Sequence, residues 1–257
     1  MIEVSDLSFG YSSRNVLSDI HFTASAGQIT VIIGPNGCGK STLLKMLCGI
    51  LVPRSGEIRI HGRGIAEYNT KLLAQQVAYL AQSRPIPDIS VERMVLHGRF
   101  PYLNYPRRYR IQDFQIARSA MERMGILDLA ETALPALSGG IRQKVYIAMA
   151  LAQDTPIILF DEPTTYLDVS HQLRIMAYAR DLCREGKTVV MVLHDLSMAL
   201  QMADHLIVMN RGRIVVQGSP EEIFLSGHLT DVFGIEIRRI WVENSWQYYY
   251  KEREEVR

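Results

Sequence analysis

At 257 residues, 47% hydrophobic and 21% charged, the chain reads as an ordinary globular protein, long enough for one large domain or two small ones. A formal net charge of +1 gives no electrostatic case for nucleic-acid binding. Apolar runs such as Thr188 to Leu193 fall far short of the ~20 residues of a membrane span, and the start lacks a basic region followed by an apolar core. Cys38, Cys48 and Cys183 cannot form a full disulfide set and match no zinc spacing, so a cytoplasmic, reducing setting is expected.

Ile2, Val4 and Leu7 alternate with polar residues, as do Ile20 and Phe22, and Ser25-Ala26-Gly27 marks a turn between strands. Ile29 to Ile33 predicts a buried strand, Ser41 to Leu47 a helix, Gly56 to Gly62 a short strand, and Val77 to Ala81 another that ends at Gln82. From about Pro85 to Ala152 helices dominate. Val91 to His97 is one; Gln112 to Met124 is a second, with Phe114, Ala117, Met121 and Met124 on one face. Between them, Gly98 to Arg110 mixes prolines, aromatics and arginines, as either a contact surface or a basic solvated loop would.

Strands return at Ile157 to Phe160 and Thr188 to Leu193, continuous apolar runs of the kind parallel strands show when covered on both faces. Helical pieces, Leu173 to Leu182 among them, separate the strands. Leu206 to Met209 and Ile214 to Val216 make a hairpin about Asn210-Arg211-Gly212. Ser219-Pro220-Glu221-Glu222 opens a helix as cap, first-turn proline and capping-box glutamate. Ile235 to Tyr250 predicts two more strands, with Lys251 to Arg257 frayed; no internal repeat or linker is seen.

Chemistry concentrates in a few of these places. Gly34-Pro35-Asn36-Gly37-Cys38-Gly39-Lys40-Ser41-Thr42 fits G-x-x-x-x-G-K-[ST] between a strand and a helix. Its glycines leave backbone N–H groups free to wrap a phosphate, Lys40 supplies positive charge, and the Ser41 hydroxyl is a hard oxygen suited to Mg²⁺. The helix start adds a further anion site. Alkylation of Cys38, inside this loop, is expected to block nucleotide binding. Asp161 and Glu162 end an apolar strand, where open α/β sheets bind ligands. Together they can hold a metal and orient or deprotonate a water for phosphoryl transfer. Leu137-Ser138-Gly139-Gly140 precedes an amphipathic helix carrying Ile141, Val145, Ala148 and Ala152, with Ser138 as N-cap. It is either a second anion-binding helix start or an ordinary capped helix. His194 follows a strand at the same sheet edge as Asp161, where it could bond a γ-phosphate or hold Glu162, or be structural.

Taken together, GPNGCGKST at 34–42, Gln82, LSGG at 137–140, IILFDEP at 157–163 and His194 resemble, in order and over nearly the whole chain, the nucleotide-binding subunit of ATP-binding cassette (ABC) transporters. The resemblance implies an α/β P-loop NTPase of ABC type. A RecA-like mixed-sheet core (about 1–84 and 153–257) would carry an antiparallel β subdomain and an inserted helical subdomain (about 85–152). It implies ATP hydrolysis with Mg²⁺. Tyr11 would stack on adenine, and Gly34, Asn36, Gly37, Gly39, Lys40, Ser41 and Thr42 would bind phosphates. Ser41, Gln82 and Asp161 would serve the metal, Gln82 would also reach the attacking water and report nucleotide state to the helical subdomain, Glu162 would be the general base, and His194 would contact the γ-phosphate. Ser138, Gly139, Gly140 and Asp168 would act across a head-to-tail dimer, closing on ATP held by the second copy.

The sequence departs from the family's pattern at Ile141, where glutamine is usual, and at Lys144 and Met149, where arginines are frequent. These changes bear on rate and coupling more than on the reaction. Leu96 to Pro101, Pro163 to Asp168 and His171-Gln172 look like the ATPases of type II importers for iron-chelates (siderophores), haem and corrinoids (vitamin B12). That implies a transmembrane permease, an indirectly linked substrate-binding protein, no nucleic-acid partner, and a place on the cytoplasmic face of the membrane. Arg99, Phe100 and Tyr102 would border the permease groove. A soluble ABC ATPase in assembly or regulation, such as an iron–sulfur scaffold, and an exporter ATPase are the alternatives.

Overall fold

The continuously apolar strands gather in one sheet, and the alternating strands at the start of the chain form another. The computed structural model describes residues 1–12, 14–82, 84–165 and 167–252. β1 (Ile2–Tyr11) and β2 (Arg14–Ala24) pair antiparallel and bury Ile2, Val4, Leu7, Leu17, Ile20 and Phe22. β3 (Ile29–Ile33) is buried throughout and leads through the glycine-rich loop into α1 (Lys40–Leu47). β4 (Ser55–Ile60) and the short β5 (Arg63–Gly64) complete the first sheet in the order β2-β1-β4-β5, and α2 (Thr70–Ala74) leads to β6 (Val77–Leu80).

The helical stretch holds α3 (Val91–Leu96), a 3-10 turn over His97–Tyr102, α4 (Ile111–Met124) and α5 (Gly139–Ala152). Then follow β7 (Ile157–Asp161), α6 (Val169–Arg184), β8 (Thr188–Val192), α7 (Leu196–Met202), the hairpin β9 (His205–Asn210) and β10 (Arg213–Gly218), α8 (Pro220–Leu225) and α9 (His228–Phe233). The second sheet has the order β10-β9-β3-β8-β7-β6, parallel except for β10. Period-two alternation splits its two faces. Ile157, Leu159, Val190 and Ile207 pack against α1 and the antiparallel sheet. Ile158, Phe160, Val189 and Met191 pack against the helices on the other side. Every parallel strand thus points its carboxyl end the same way, which sets where a ligand can sit.

The structure corrects the sequence reading in four places. Arg99 is not at the surface. Only 7% exposed, it pairs with Asp113 at 3.1 Å, donates to the Ala152 carbonyl at 2.9 Å and stacks on Tyr102. It ties the 3-10 turn to α4 and α5; Gly98 allows this, since a Cβ there would lie 2.2 Å from the Met149 carbonyl. Phe114 is exposed, because Asp113 takes the inward position on α4 in order to meet Arg99. α6 begins four residues earlier than the periodicity suggests, since Asp168 caps it. Lys251 and Glu252 belong to β12 (Ser245–Glu252), paired with β11 (Ile235–Val242), rather than to a frayed tail; 253–257 lie outside the described residues, as does Tyr166.

Candidate functional site

The predicted site residues that follow β3, β6, β7 and β8 converge at one edge of the parallel sheet. A cavity of about 410 Å³ there is lined by Val16, Asn36, Gly37, Gly39, Lys40, Ser41, Thr42, Gln82, Glu162 and His194. A larger polar depression of about 820 Å³, bordered by β1, β2 and β4, contains none of them.

The loop is held from behind. A Cβ at Gly34 would lie 2.2 Å from the Met209 carbonyl and 2.8 Å from Cys38 Sγ, so only glycine lets the chain leave β3 this close to β9. Gly212 N–H donates to the Cys38 carbonyl at 3.1 Å, and Ser18 N–H to the Gly212 carbonyl at 2.9 Å. The hairpin turn and β2 therefore brace the loop. Lys40 Nζ donates to the carbonyls of Gly34 at 2.7 Å and Pro35 at 3.1 Å, which arches the loop and holds a buried cation at its centre. The Cys38 thiol faces inward at 4% exposure, and burial raises its pKa. Such a thiol reacts slowly, so the modification expected to block nucleotide binding would proceed slowly.

Asp161 closes β7 with both oxygens engaged: Ser41 Oγ donates to Oδ1 at 3.0 Å and Tyr79 Oη to Oδ2 at 3.1 Å. Burial raises this carboxyl's pKa, the two hydrogen bonds lower it, and the neighbouring Glu162 charge raises it again. A hydroxyl and a buried carboxylate 3.0 Å apart are hard oxygen donors beside a phosphate-binding loop, a donor set that fits Mg²⁺.

Glu162 sits in the left-handed region at φ 54°, a conformation that costs roughly 1–2 kcal/mol for a non-glycine residue. Its N–H continues the ladder to the Val192 carbonyl at 3.2 Å, and the bend turns its side chain into the cavity. There Gln82 Nε2 and His194 Nε2 each contact one carboxylate oxygen, and Thr165 Oγ1 donates at 3.3 Å. An acid 8% exposed, gripped by an amide and an imidazole at a phosphate cavity, is placed to take a proton from a water.

A second cluster stands apart. Ser138 caps α5 by accepting from the Ile141 N–H at 3.4 Å, and Ser138 and Gly139 are exposed. A Cβ on Gly140 would lie 3.6 Å from Leu167, and Gln143 Nε2 donates to the Pro163 carbonyl at 2.7 Å. LSGG and Leu167-Asp168 thus share one ledge. Asp168 caps α6; its bonds from the His171 backbone and side chain and from Ser170 lower its carboxyl pKa to about 2. None of these residues lines the cavity. Tyr11, 52% exposed and edge-on to Phe9, lies near the end of its hairpin outside the cavity lining as well. Val16, Tyr79 and Thr165 are contributors the sequence reading passed over. Tyr79 could have been noticed as the hydroxyl in a strand that leads to Gln82.

Comparison with known proteins gives the family. The family model described as ABC transporter matches residues 17–165. The ferric enterobactin transport ATP-binding protein of Escherichia coli (strain K12) is 42% identical over 89% of this chain and 85% of its own length. The hemin import ATP-binding protein of Nocardia farcinica (strain IFM 10152) is 37% identical over 86% of this chain and 76% of its own. Among solved structures, a chain assigned to a metal-chelate type ABC transporter in an inward-facing conformation superposes with a TM-score of 0.84 at 29% identity, covering 97% of this chain and 96% of that one. With its phosphate loop, strand-end acids and LSGG helix start in place, the chain belongs to the ABC transporter family as one of its ATPase subunits.

Proposed function

We propose that this ATPase powers uptake of an iron-chelate, haem or corrinoid-type substrate through a transmembrane permease. The observation that carries the catalytic part is the convergence of Glu162, Gln82 and His194 on the cavity that also holds Lys40 and Ser41. The phosphates of ATP would lie against the N–H groups of 34–42 and the Lys40 ammonium, with Thr42 at the helix start. Ser41 and Asp161 would hold Mg²⁺, which neutralises phosphate charge, and Gln82 would serve the same site. Glu162 would accept the proton of the attacking water. His194, while it holds Glu162, would also contact the γ-phosphate. Tyr11 would approach adenine from its hairpin. Such an ATPase, reading 85–152 as an inserted helical subdomain, would present Phe100, which is exposed beneath Arg107, to the permease.

The ledge of Ser138, Gly139, Gly140 and Asp168 points to a head-to-tail dimer, because in this chain Ser138, Gly139 and Asp168 are exposed and all four stand away from the cavity they would complete. No helix among the described residues is long and apolar enough to cross a membrane, which fits a subunit held peripherally on the cytoplasmic face. A substrate-binding protein would meet the permease rather than this chain. The importer reading rests on relatives whose names denote ferric enterobactin transport and hemin import. Co-purification with a polytopic membrane protein tests it: a stable complex with that partner is expected, and complexes with soluble proteins alone would sink the reading.

A further inference from the structure

β6 leads to Gln82, yet the contact it makes with the metal site comes from the middle of the strand. Tyr79 pairs in register with Leu159 of β7, two residues short of Asp161. Parallel strands lie about 4.8 Å apart, so a tyrosine on one can reach the carboxylate at the end of the next. It does: Tyr79 Oη donates to Asp161 Oδ2 at 3.1 Å, while Ser41 Oγ donates to Oδ1 at 3.0 Å. An aspartate carboxylate turns about a broad, roughly two-fold torsion, so apolar packing alone leaves its plane loosely set. A donor on each oxygen sets it. Tyr79 is absent from the lining of the phosphate cavity and instead borders an apolar cavity of about 760 Å³ with Cys48, Leu51, Leu73 and Val77. The phenol thus stands behind the acid, on the side away from the phosphates.

We infer that Tyr79 is a positioning residue of the ATPase: its hydroxyl fixes the Asp161 carboxylate plane so that Oδ1 stays on Ser41, presetting the two oxygens that meet Mg²⁺. It acts only through Asp161. The inference rests on the reading of Ser41 and Asp161 as the metal pair.

Tyr79→Phe removes one oxygen and leaves the ring in its apolar wall. Binding of a fluorescent ATP analogue should be titrated with Mg²⁺ and repeated in EDTA. In Tyr79→Phe the Mg²⁺ half-saturation should rise roughly tenfold, the scale of one hydrogen bond to a charged group, with EDTA affinity within about twofold of the parent. Asp161→Asn should also raise it, and adding Tyr79→Phe to Asp161→Asn should add no further shift, because the two act as one unit. An unchanged Mg²⁺ half-saturation in Tyr79→Phe, beside a shifted Asp161→Asn, overturns the role of Tyr79 alone. An Asp161→Asn protein with normal Mg²⁺ dependence overturns the metal-pair reading and the inference with it. An equal loss of affinity in EDTA marks a structural effect and also overturns it.

Discussion

The glycine-rich loop and the LSGG helix start are both glycine-rich approaches to a helix N-terminus, yet the molecule treats them differently. The loop at 34–42 is braced by β2, β9 and the hairpin turn, carries its own buried cation, and faces Asp161, Glu162, Gln82 and His194 from three neighbouring strands. Ser138 and Gly139 lie exposed, and the neighbouring Gly140 meets Leu167, away from the acids and the imidazole of the cavity. One is a loop whose cation, acids, amide and imidazole come from the same chain. The other is a surface capped by Ser138 and buttressed by Gln143, with none of the cavity's groups beside it. Two helix starts of the same chemical kind therefore do different work according to what the sheet brings beside them.

Substitutions can break the first region and leave the second intact, and the reverse. The largest effect is expected at Glu162. Glu162→Gln should keep ATP binding and stabilise a closed dimer while turnover falls about 10²- to 10⁴-fold, the usual contribution of a general base; phosphate release in steady state measures it. Lys40→Ala removes the buried cation and should weaken ATP affinity by roughly a hundredfold or more, as loss of a charge-assisted contact in a desolvated site does. Equilibrium nucleotide binding reads this directly. Ser138→Ala should leave ATP affinity of the isolated chain unchanged and reduce turnover about tenfold or more, since its bond to ATP would form only on closure. A fall in affinity equal to the fall in turnover would instead place Ser138 at the site of its own chain. The smallest effect concerns Cys38. A buried thiol with a raised pKa holds less thiolate at any given pH, so modification should lag well behind a free thiol at neutral pH and quicken as pH rises. Mass spectrometry over time checks this.

Much of this could be read from the residues. Continuous runs at 29–33, 157–160 and 188–193 announce strands covered on both faces, and strand-loop-helix spacing alone places Lys40 and Ser41. What escaped is what depends on partners distant in sequence. Arg99 reads as a surface arginine until Asp113 and the Ala152 carbonyl are seen to enclose it. Phe114 gives up the core to Asp113 for the same ion pair, against the hydrophobic periodicity of α4. Removing one partner of such a buried pair typically costs about 3–5 kcal/mol, so Arg99→Ala should lower thermal stability clearly, whereas Phe100→Ala at the surface should not. Tyr79 escaped because its partner lies on another strand, and Cys38 because exposure of a loop does not imply exposure of each side chain in it.

We propose that the site in this chain is half of one, completed by the LSGG surface of a second copy. Mixing Ser138→Ala chains with Lys40→Ala chains tests it most directly. Each mixed dimer would pair one intact loop with one intact LSGG surface and carry both defects in its other site. ATPase activity of the mixture should therefore rise above the mean of the two separate variants. Activity that stays at that mean at every mixing ratio would rule out a site shared between two copies.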